Sequence, residues 1–388
     1  MAKSRKPVVD RRNFLKGVVA GAATLAAPAE ALRAQPGAPQ PPVAVPLMPP
    51  VIETDPPADV EVLTEGRSGS DFMVDVIKYL GFEYVCSVAA SSFRGLHESV
   101  INYAGNQNPE FITCCHEESS VAMGHGYAKV EGKPLCVFAQ GTVGLQHAAM
   151  AVYNAYCDRV PVYIIASNTL DATMRDSAYA DWVHSVQDAA AMVRGYIKWD
   201  DQPVSLPHFA ESAVRAYKIA MTPPMGPVLL VVDSELQENP ISEGTNQSIP
   251  KLALASPPQG DSGAVAEAAR LLVQAENPVI VVDRAARTQA GIEHLVELAE
   301  ALQAPVIDRA GRMNFPTRHP LNQSSRQRAV IANADVILGL EVMDFWGTVN
   351  SMHDQVHRTS RPGGMVGSSI SSFSASVNSS VSAVCSLS

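Results

Sequence analysis

Short apolar runs alternate with helical patterns over residues 66–240. Between the runs, apolar residues recur every three or four positions, as they do at Phe72, Val76 and Leu80, which is typical of helices. The runs are Tyr84–Val88, Phe111–Cys115, Leu135–Ala139, Val162–Ala166 and Val228–Asp233. Strands that are apolar throughout are typical of a parallel sheet covered by helices on both faces. The pattern therefore predicts an α/β domain with a doubly wound parallel sheet.

A second alternation follows over residues 263–362, after a polar, proline-punctuated linker at 241–262. Its predicted strands are Val279–Asp283, Pro305–Asp308 and Val336–Leu340. The spacing predicts a second doubly wound α/β domain. The turn after its first strand reads Asp283-Arg284-Ala285-Ala286-Arg287 rather than a glycine-rich fingerprint, so the sequence gives a dinucleotide site there little support.

The two ends of the chain have different patterns. Arg11 and Arg12 precede an uncharged, Ala/Gly/Val-rich run, which is typical of a twin-arginine signal peptide over residues 1–34. The apolar run is too short for a stable membrane span. If the signal is used, the protein is exported to the periplasm; otherwise it is cytoplasmic. Residues 35–65 form a proline-rich linker, and residues 363–388 form a serine-rich tail that is either low-complexity sequence or the product of a frameshift.

Composition narrows the possible partners and chemistry. The 388 residues carry a formal net charge of −10, which argues against nucleic acid as a partner. Six cysteines without a CxxC pair suggest neither a disulfide scaffold nor a dithiol site, and the adjacent Cys114 and Cys115 fit the interpretation of buried apolar thiols. No group of His, Cys and carboxylate residues shows metal-ligand spacing along the chain, so no metal site is predicted.

One carboxylate stands out as a candidate for catalysis. Glu117 follows a predicted strand and begins a predicted helix, which places it at the edge of a parallel sheet where ligands usually bind. A buried carboxylate there can take part in proton exchange. The alternative is a carboxylate that only favours the helix dipole, and the spacing alone does not separate the two.

A longer motif around Glu117 resembles a known family. His116-Glu117-Glu118-Ser119-Ser120 continues to Gly126-Tyr127-Ala128-Lys129 and Gly132-Lys133-Pro134. The segment resembles thiamine-diphosphate-dependent 2-keto acid enzymes, and the acetolactate synthases are the nearest group. The resemblance covers about residues 66–361, which it identifies as a pyrimidine-binding domain followed by a central domain.

The resemblance implies roles for individual residues. The glutamate aligned with Glu117 would hydrogen-bond the aminopyrimidine ring of thiamine diphosphate and favour its imino form, which deprotonates the thiazolium carbon that attacks a 2-keto acid. The residues implied to approach the cofactor are Val143, Gly144, His147 and Ala90. Asn168 and Gln187 are the substrate-side candidates. Ala89-Ala90 replaces a usual Pro-Gly pair, and His147 stands where Asn is common, so the substrate stays open.

The resemblance also implies a further domain. The family holds the diphosphate and its Mg²⁺ through a Gly-Asp-Gly…Asn motif, and the nearest match here, Gly260-Asp261-Ser262, lies in the linker. We therefore expect a truncated thiamine-diphosphate-dependent lyase or transferase that is inactive alone, and that forms a homo-oligomer or pairs with a complete homologue. The alternative is a non-catalytic binding subunit that pairs with such a homologue.

Overall fold

The computed structural model describes residues 66–171, 183–242, 244, 247–256 and 260–349. The predicted signal peptide at 1–34, the linker before residue 66 and the tail at 363–388 lie outside these residues. No helix among the described residues is long and apolar enough to cross a membrane.

The first part of the described chain folds around a six-stranded, fully parallel sheet. Its strands are β1 (Tyr84–Ser87), β2 (Glu110–Thr113), β3 (Cys136–Gln140), β4 (Tyr163–Asn168), β5 (Trp199–Asp201) and β6 (Val228–Asp233). Its α-helices are α1 (Gly69–Tyr79), α2 (Arg94–Glu98), α3 (Glu117–Glu131), α4 (Val143–Cys157), α5 (Leu206–Met221) and α6 (Ser234–Glu238). The strand order is β2-β1-β3-β4-β6-β5.

Both faces of this sheet are covered, which explains why its strands are apolar throughout. Along β4, Tyr163 and Ile165 face a core shared with α1 and α5, whereas Ile164 and Ala166 face a core shared with α3 and α4. Alternate residues of a strand point to opposite faces, so a strand buried on both sides needs apolar residues at every position. The predicted doubly wound fold is confirmed.

The second part of the chain contains a three-stranded parallel sheet in the order β8-β7-β9. Its strands are β7 (Pro278–Val282), β8 (Val306–Asp308) and β9 (Val336–Leu340), and its helices are α7 (Ser262–Gln274), α8 (Gln289–Leu302) and α9 (Gln327–Ala332). The Gly260-Asp261-Ser262 sequence begins α7, because Asp261 Oδ1 accepts a hydrogen bond from the Ala264 N–H at 2.8 Å. Asp261 is thus a helix N-cap.

Several local predictions differ from the structure. The sequence favours Ser70 or Asp71 as the cap of the first helix, but Ser68 caps α1 in a capping box with Asp71. The apolar spacing from about Phe93 to Tyr103 predicts one helix. The structure has instead a 3₁₀ turn at Ser91–Phe93, the short α2 and a π turn at Ser99–Tyr103, since these helix types share similar apolar spacing. The strand β5 and the helix α5 were not predicted; β5 has only three residues, two of them acidic, and so has no apolar run.

The strand order reverses at the carboxyl edge of the first sheet. The chain leaves β1 toward β2, returns over β1 to β3 and continues to β4, so the connections leaving the neighbouring strands β1 and β3 run in opposite directions. Ligands of open α/β sheets bind at such reversals. Glu117 follows β2, and the first turn of α4 follows β3, so both lie at this edge.

Candidate functional site

Glu117 is a buried carboxylate at the carboxyl edge of the sheet. It is the first residue of α3, and its side chain is 7% exposed. His116 caps the helix, since its Nδ1 accepts a hydrogen bond from the Glu118 N–H at 3.2 Å. Glu118, one residue further on, is exposed. The same helix start therefore carries one buried and one solvated carboxylate.

The start of α4 packs directly against Glu117. A Cβ on Gly144 would lie 3.2 Å from Glu117 Oε1 and 3.1 Å from the Gln140 Cβ, which is tighter than ordinary van der Waals contact. Gly141 makes the preceding turn possible, because a Cβ there would lie only 1.9 Å from the Ser167 carbonyl oxygen. The two glycines let the β3–α4 turn approach the ends of the neighbouring elements closely.

Two histidines complete this cluster. His147 Nδ1 lies 2.9 Å from Glu117 Oε2, in position to donate a hydrogen bond, and its side chain is 46% exposed. The His116 ring stacks on the His147 ring, with centroids 4.6 Å apart and planes at 22°. One ligand atom from each of His116, Glu117 and His147 lies within 4.8 Å of the other two. The linear spacing does not reveal this group, since His147 is 30 positions from Glu117; within the described part of the chain, folding brings the three side chains together.

The remaining residues that the resemblance places near the cofactor lie at the same edge. Val143 is the half-buried first residue of α4, and Gly144 and His147 lie in the first two turns of the same helix. Ala90 is the half-buried N-cap of the 3₁₀ turn Ser91–Phe93. Its backbone follows the end of β1, between the ends of β2 and β3.

The two substrate-side candidates have different surroundings. Asn168 ends β4 and is fully buried; its Nδ2 donates to the Val186 carbonyl at 2.8 Å, and its Oδ1 accepts from the Thr169 N–H at 3.1 Å. Its amide is thus occupied in holding the segment that follows. Gln187 is exposed on this segment. The roles of both toward substrate stay predictions.

Sequence reasoning missed His116 as a partner in the cluster, although it stands next to Glu117. Cys115, also adjacent, is exposed, so only Cys114 fits the expected buried thiol. On the neighbouring strand β1, burial raises the pKa of Cys86 to about 12, which keeps that thiol neutral.

The space beside the Glu117 carboxylate suits a nitrogen-containing ring that hydrogen-bonds Oε1. Gly144 leaves room at Glu117 Oε1 that any side chain would fill. A buried carboxylate in such a space can accept hydrogen bonds from an N–H group or exchange a proton with a ring nitrogen. These features suit an aminopyrimidine, the part of thiamine diphosphate that the sequence resemblance places here.

Two family models cover more than half of the chain. Residues 67–192 match the N-terminal TPP binding domain of thiamine pyrophosphate enzymes, and residues 265–356 match the central domain of these enzymes.

Individual proteins of this family are similar to the chain over less than half of their own length. The chain is 25% identical over 242 residues to the acetolactate synthase large subunit of Haemophilus influenzae, covering 62% of this chain and 41% of that protein. It is 24% identical over 283 residues to the sulfoacetaldehyde acetyltransferase of Rhodobacter capsulatus, covering 69% and 44%. The chain thus spans less than half the length of these curated relatives.

A solved structure shows the same fold. An X-ray structure from Mycobacterium smegmatis, assigned as a thiamin diphosphate-dependent enzyme, superposes with a TM-score of 0.59 at 24% identity. The match covers 71% of this chain and 52% of that one.

Proposed function

Because the chain belongs to the thiamine pyrophosphate enzyme family, we propose that it serves a thiamine-diphosphate-dependent lyase or transferase that acts on 2-keto acids, as acetolactate synthase does. The observation that carries the proposal is the buried Glu117 carboxylate facing Gly144 at the reversal point of the sheet. The described residues supply the pyrimidine side of the site.

Each residue of the cluster has a distinct task in this proposal. Glu117 holds or accepts a proton at its carboxylate, where burial strengthens its hydrogen bond to a ring nitrogen. Gly144 and Val143 shape the space beside it. His147 hydrogen-bonds Glu117 Oε2 and so holds the carboxylate in orientation, leaving Oε1 toward Gly144.

The cofactor supplies the remaining chemistry. When bound, thiamine diphosphate provides a thiazolium ring that takes up the electrons released as carbon dioxide leaves a 2-keto acid. The diphosphate and Mg²⁺ belong, by the resemblance, to a further domain of the family.

Association with another protein is part of the proposal. Large apolar side chains are exposed on α3 and α4, the helices that carry the cluster; they are Met123, Val130, Met150, Tyr153 and Tyr156, each 41–83% exposed. Apolar groups clustered at a surface are typical of protein contacts. This face supports pairing with a second copy or a complete homologue.

Export by the twin-arginine route stays a proposal.

The test compares Glu117→Gln with Glu118→Gln, a matched loss of charge one residue away. Both are made in the full chain joined to the diphosphate-binding domain of an acetolactate synthase. We expect Glu117→Gln to slow exchange of the thiazolium C2 proton, followed by quenched NMR, by about 100-fold or more, since a positioned acid or base contributes roughly 10²–10⁴-fold. Glu118→Gln should exchange as the parent does.

The opposite outcome supports the second candidate, a non-catalytic subunit. If the thiazolium C2 proton exchanges at the same rate in the joined parent protein and in its Glu117→Gln variant, Glu117 has no catalytic task. The exposed apolar face would then be the functional feature, and co-purification with a complete homologue would measure it.

A further inference from the structure

We propose that His147 is a positioning residue that relays protons between water and the buried Glu117 carboxylate. The inference rests on the proposed function, in which Glu117 exchanges a proton with a ring nitrogen of the cofactor. The observation behind it is the 2.9 Å hydrogen bond between His147 Nδ1 and Glu117 Oε2. It joins a side chain that is 46% exposed to one that is 7% exposed, so it connects solvent with the carboxylate.

The two oxygens of the carboxylate have different neighbours. Oε1 faces the space beside Gly144, where an added Cβ would lie 3.2 Å from it. A ring that fills this space covers Oε1 and separates it from water. Oε2 is bonded to His147, and within the described residues no other side chain is hydrogen-bonded to Glu117. His147 is therefore the contact that still links the carboxylate with solvent once the space is filled.

An imidazole can relay a proton because it has two ring nitrogens. When His147 Nε2 takes up a proton from water, Nδ1 releases its proton to Glu117 Oε2, and the ring is neutral before and after the transfer. The same N–H and O–H bonds form and break in the reverse order when Glu117 returns a proton to water. An amide side chain could donate a hydrogen bond to Oε2, but it has no second nitrogen that accepts a proton.

The neighbouring His116 ring supports the relay without taking part in it. It stacks on the His147 ring, with centroids 4.6 Å apart and planes at 22°. Its Nδ1 accepts the Glu118 N–H at 3.2 Å, so the neutral ring carries its proton on Nε2. A proton on Nδ1 would break this cap of α3. His116 is therefore a flat surface that fixes the plane of His147, rather than a second relay.

The first test needs no cofactor. In the full chain labelled with ¹⁵N-histidine, long-range NMR correlations show which nitrogen of each imidazole carries the proton. The signals of His147 and His116 are assigned by their loss in His147→Asn and His116→Asn. We expect the proton of His147 on Nδ1 and that of His116 on Nε2. A His147 proton that lies only on Nε2 overturns the proposal, because Nδ1 then has no proton to give to Glu117.

The second test measures exchange of the thiazolium C2 proton in the full chain joined to the diphosphate-binding domain. His147→Asn keeps an N–H donor but cannot relay a proton, and His147→Ala leaves room for added imidazole. We expect both variants to slow the exchange about 10-fold or more, since a positioned acid or base contributes roughly 10²–10⁴-fold. Added imidazole should return His147→Ala toward the parent rate. His294→Asn is the matched control, because His294 on α8 has a side chain that is 77% exposed, and it should exchange as the parent does.

The outcomes separate the relay from the proposed function. If Glu117→Gln slows the exchange and His147→Asn does not, the proposed function stands and the relay is overturned. Slow exchange in His147→Ala that imidazole does not speed up shows a structural role only, which also overturns the relay. If Glu117→Gln itself exchanges as the parent does, the proposed function fails and the relay fails with it.

Discussion

At the scale of single residues, the site depends on how closely α4 approaches one carboxylate. Glu117 could be selected from the sequence because a strand-to-helix junction places it at the sheet edge. The contact between Glu117 and Gly144 could not be predicted from the sequence, because a helix and a strand separate the two positions along the chain. The glycine is the residue that determines how much space Glu117 has.

Substituting Gly144 with Ala tests this contact. Alanine is favoured over glycine inside a helix by about 1 kcal/mol, but here its Cβ would press on Glu117 and Gln140, and overpacking costs roughly 1–3 kcal/mol. We expect the free energy of unfolding, measured in urea, to be no higher than that of the parent.

Gly126→Ala provides the matched control on α3. Nothing lies within 4 Å of a Cβ at Gly126, so this variant should gain up to about 1 kcal/mol. An equal gain in Gly144→Ala would show that the approach of α4 to Glu117 is looser than the distances indicate.

At the scale of elements, the ends of the strands are tied to the segments that follow them. Asn168 at the end of β4 holds Val186, and the Thr142 Oγ1 before α4 donates to the His184 carbonyl at 2.7 Å. These bonds fix the segment around residues 184–186 at the same edge as Glu117. The resemblance implies a place for Asn168 beside the substrate, which stays a prediction; in the structure its amide holds this segment.

Asn168→Ala should release that segment. The Val186 carbonyl and the Thr169 N–H would lose their buried partner, which costs about 1–3 kcal/mol. Hydrogen exchange followed by mass spectrometry should show faster exchange of the amides near Val186. Asn154→Ala changes an exposed position on α4 and is the control, so it should leave these exchange rates unchanged. Unchanged exchange near Val186 in Asn168→Ala would contradict the inference that Asn168 holds this segment.

At the scale of the whole described chain, one aspartate links the two sheets. Asp158 follows α4, and its Oδ2 lies 2.8 Å from His125 Nε2 and 2.7 Å from Lys129 Nζ, both on α3. Its Oδ1 lies 3.3 Å from Arg312 Nη1 and 3.5 Å from Arg284 Nε, both in the second sheet domain. Burial would raise the pKa of Asp158, but hydrogen bonds from His125 and Lys129 and the charges of Lys129 and Arg312 hold it well below its usual value.

Asp158→Asn should destabilise the protein by about 1–3 kcal/mol at pH 7, because it removes the anion that Arg312 and Arg284 share, although Arg284 keeps Asp283 as a partner. An aspartate with a lowered folded pKa stabilises above its unfolded pKa, about 3.9, and this stabilisation is lost as the pH falls through the folded value. The difference between parent and variant should therefore shrink as the pH falls below about 4.

Thermal unfolding at a series of pH values measures this effect. Glu267→Gln is the control, since Glu267 pairs with Arg270 on the solvated surface of α7 and should not change the melting temperature. A difference that widens as the pH falls below about 4 would contradict the assignment of Asp158.

The sequence by itself determined the class of the fold, the parallel strands and the candidate carboxylate, because burial on both faces requires continuous apolar runs and a junction residue must lie at the sheet edge. It did not determine the contacts of Glu117 with His147 and Gly144, the hydrogen bond of the Asn168 amide to Val186, or the ion pairs around Asp158. Those contacts join positions far apart in the chain, and only the strand order and the packing of α3 against α4 bring them together.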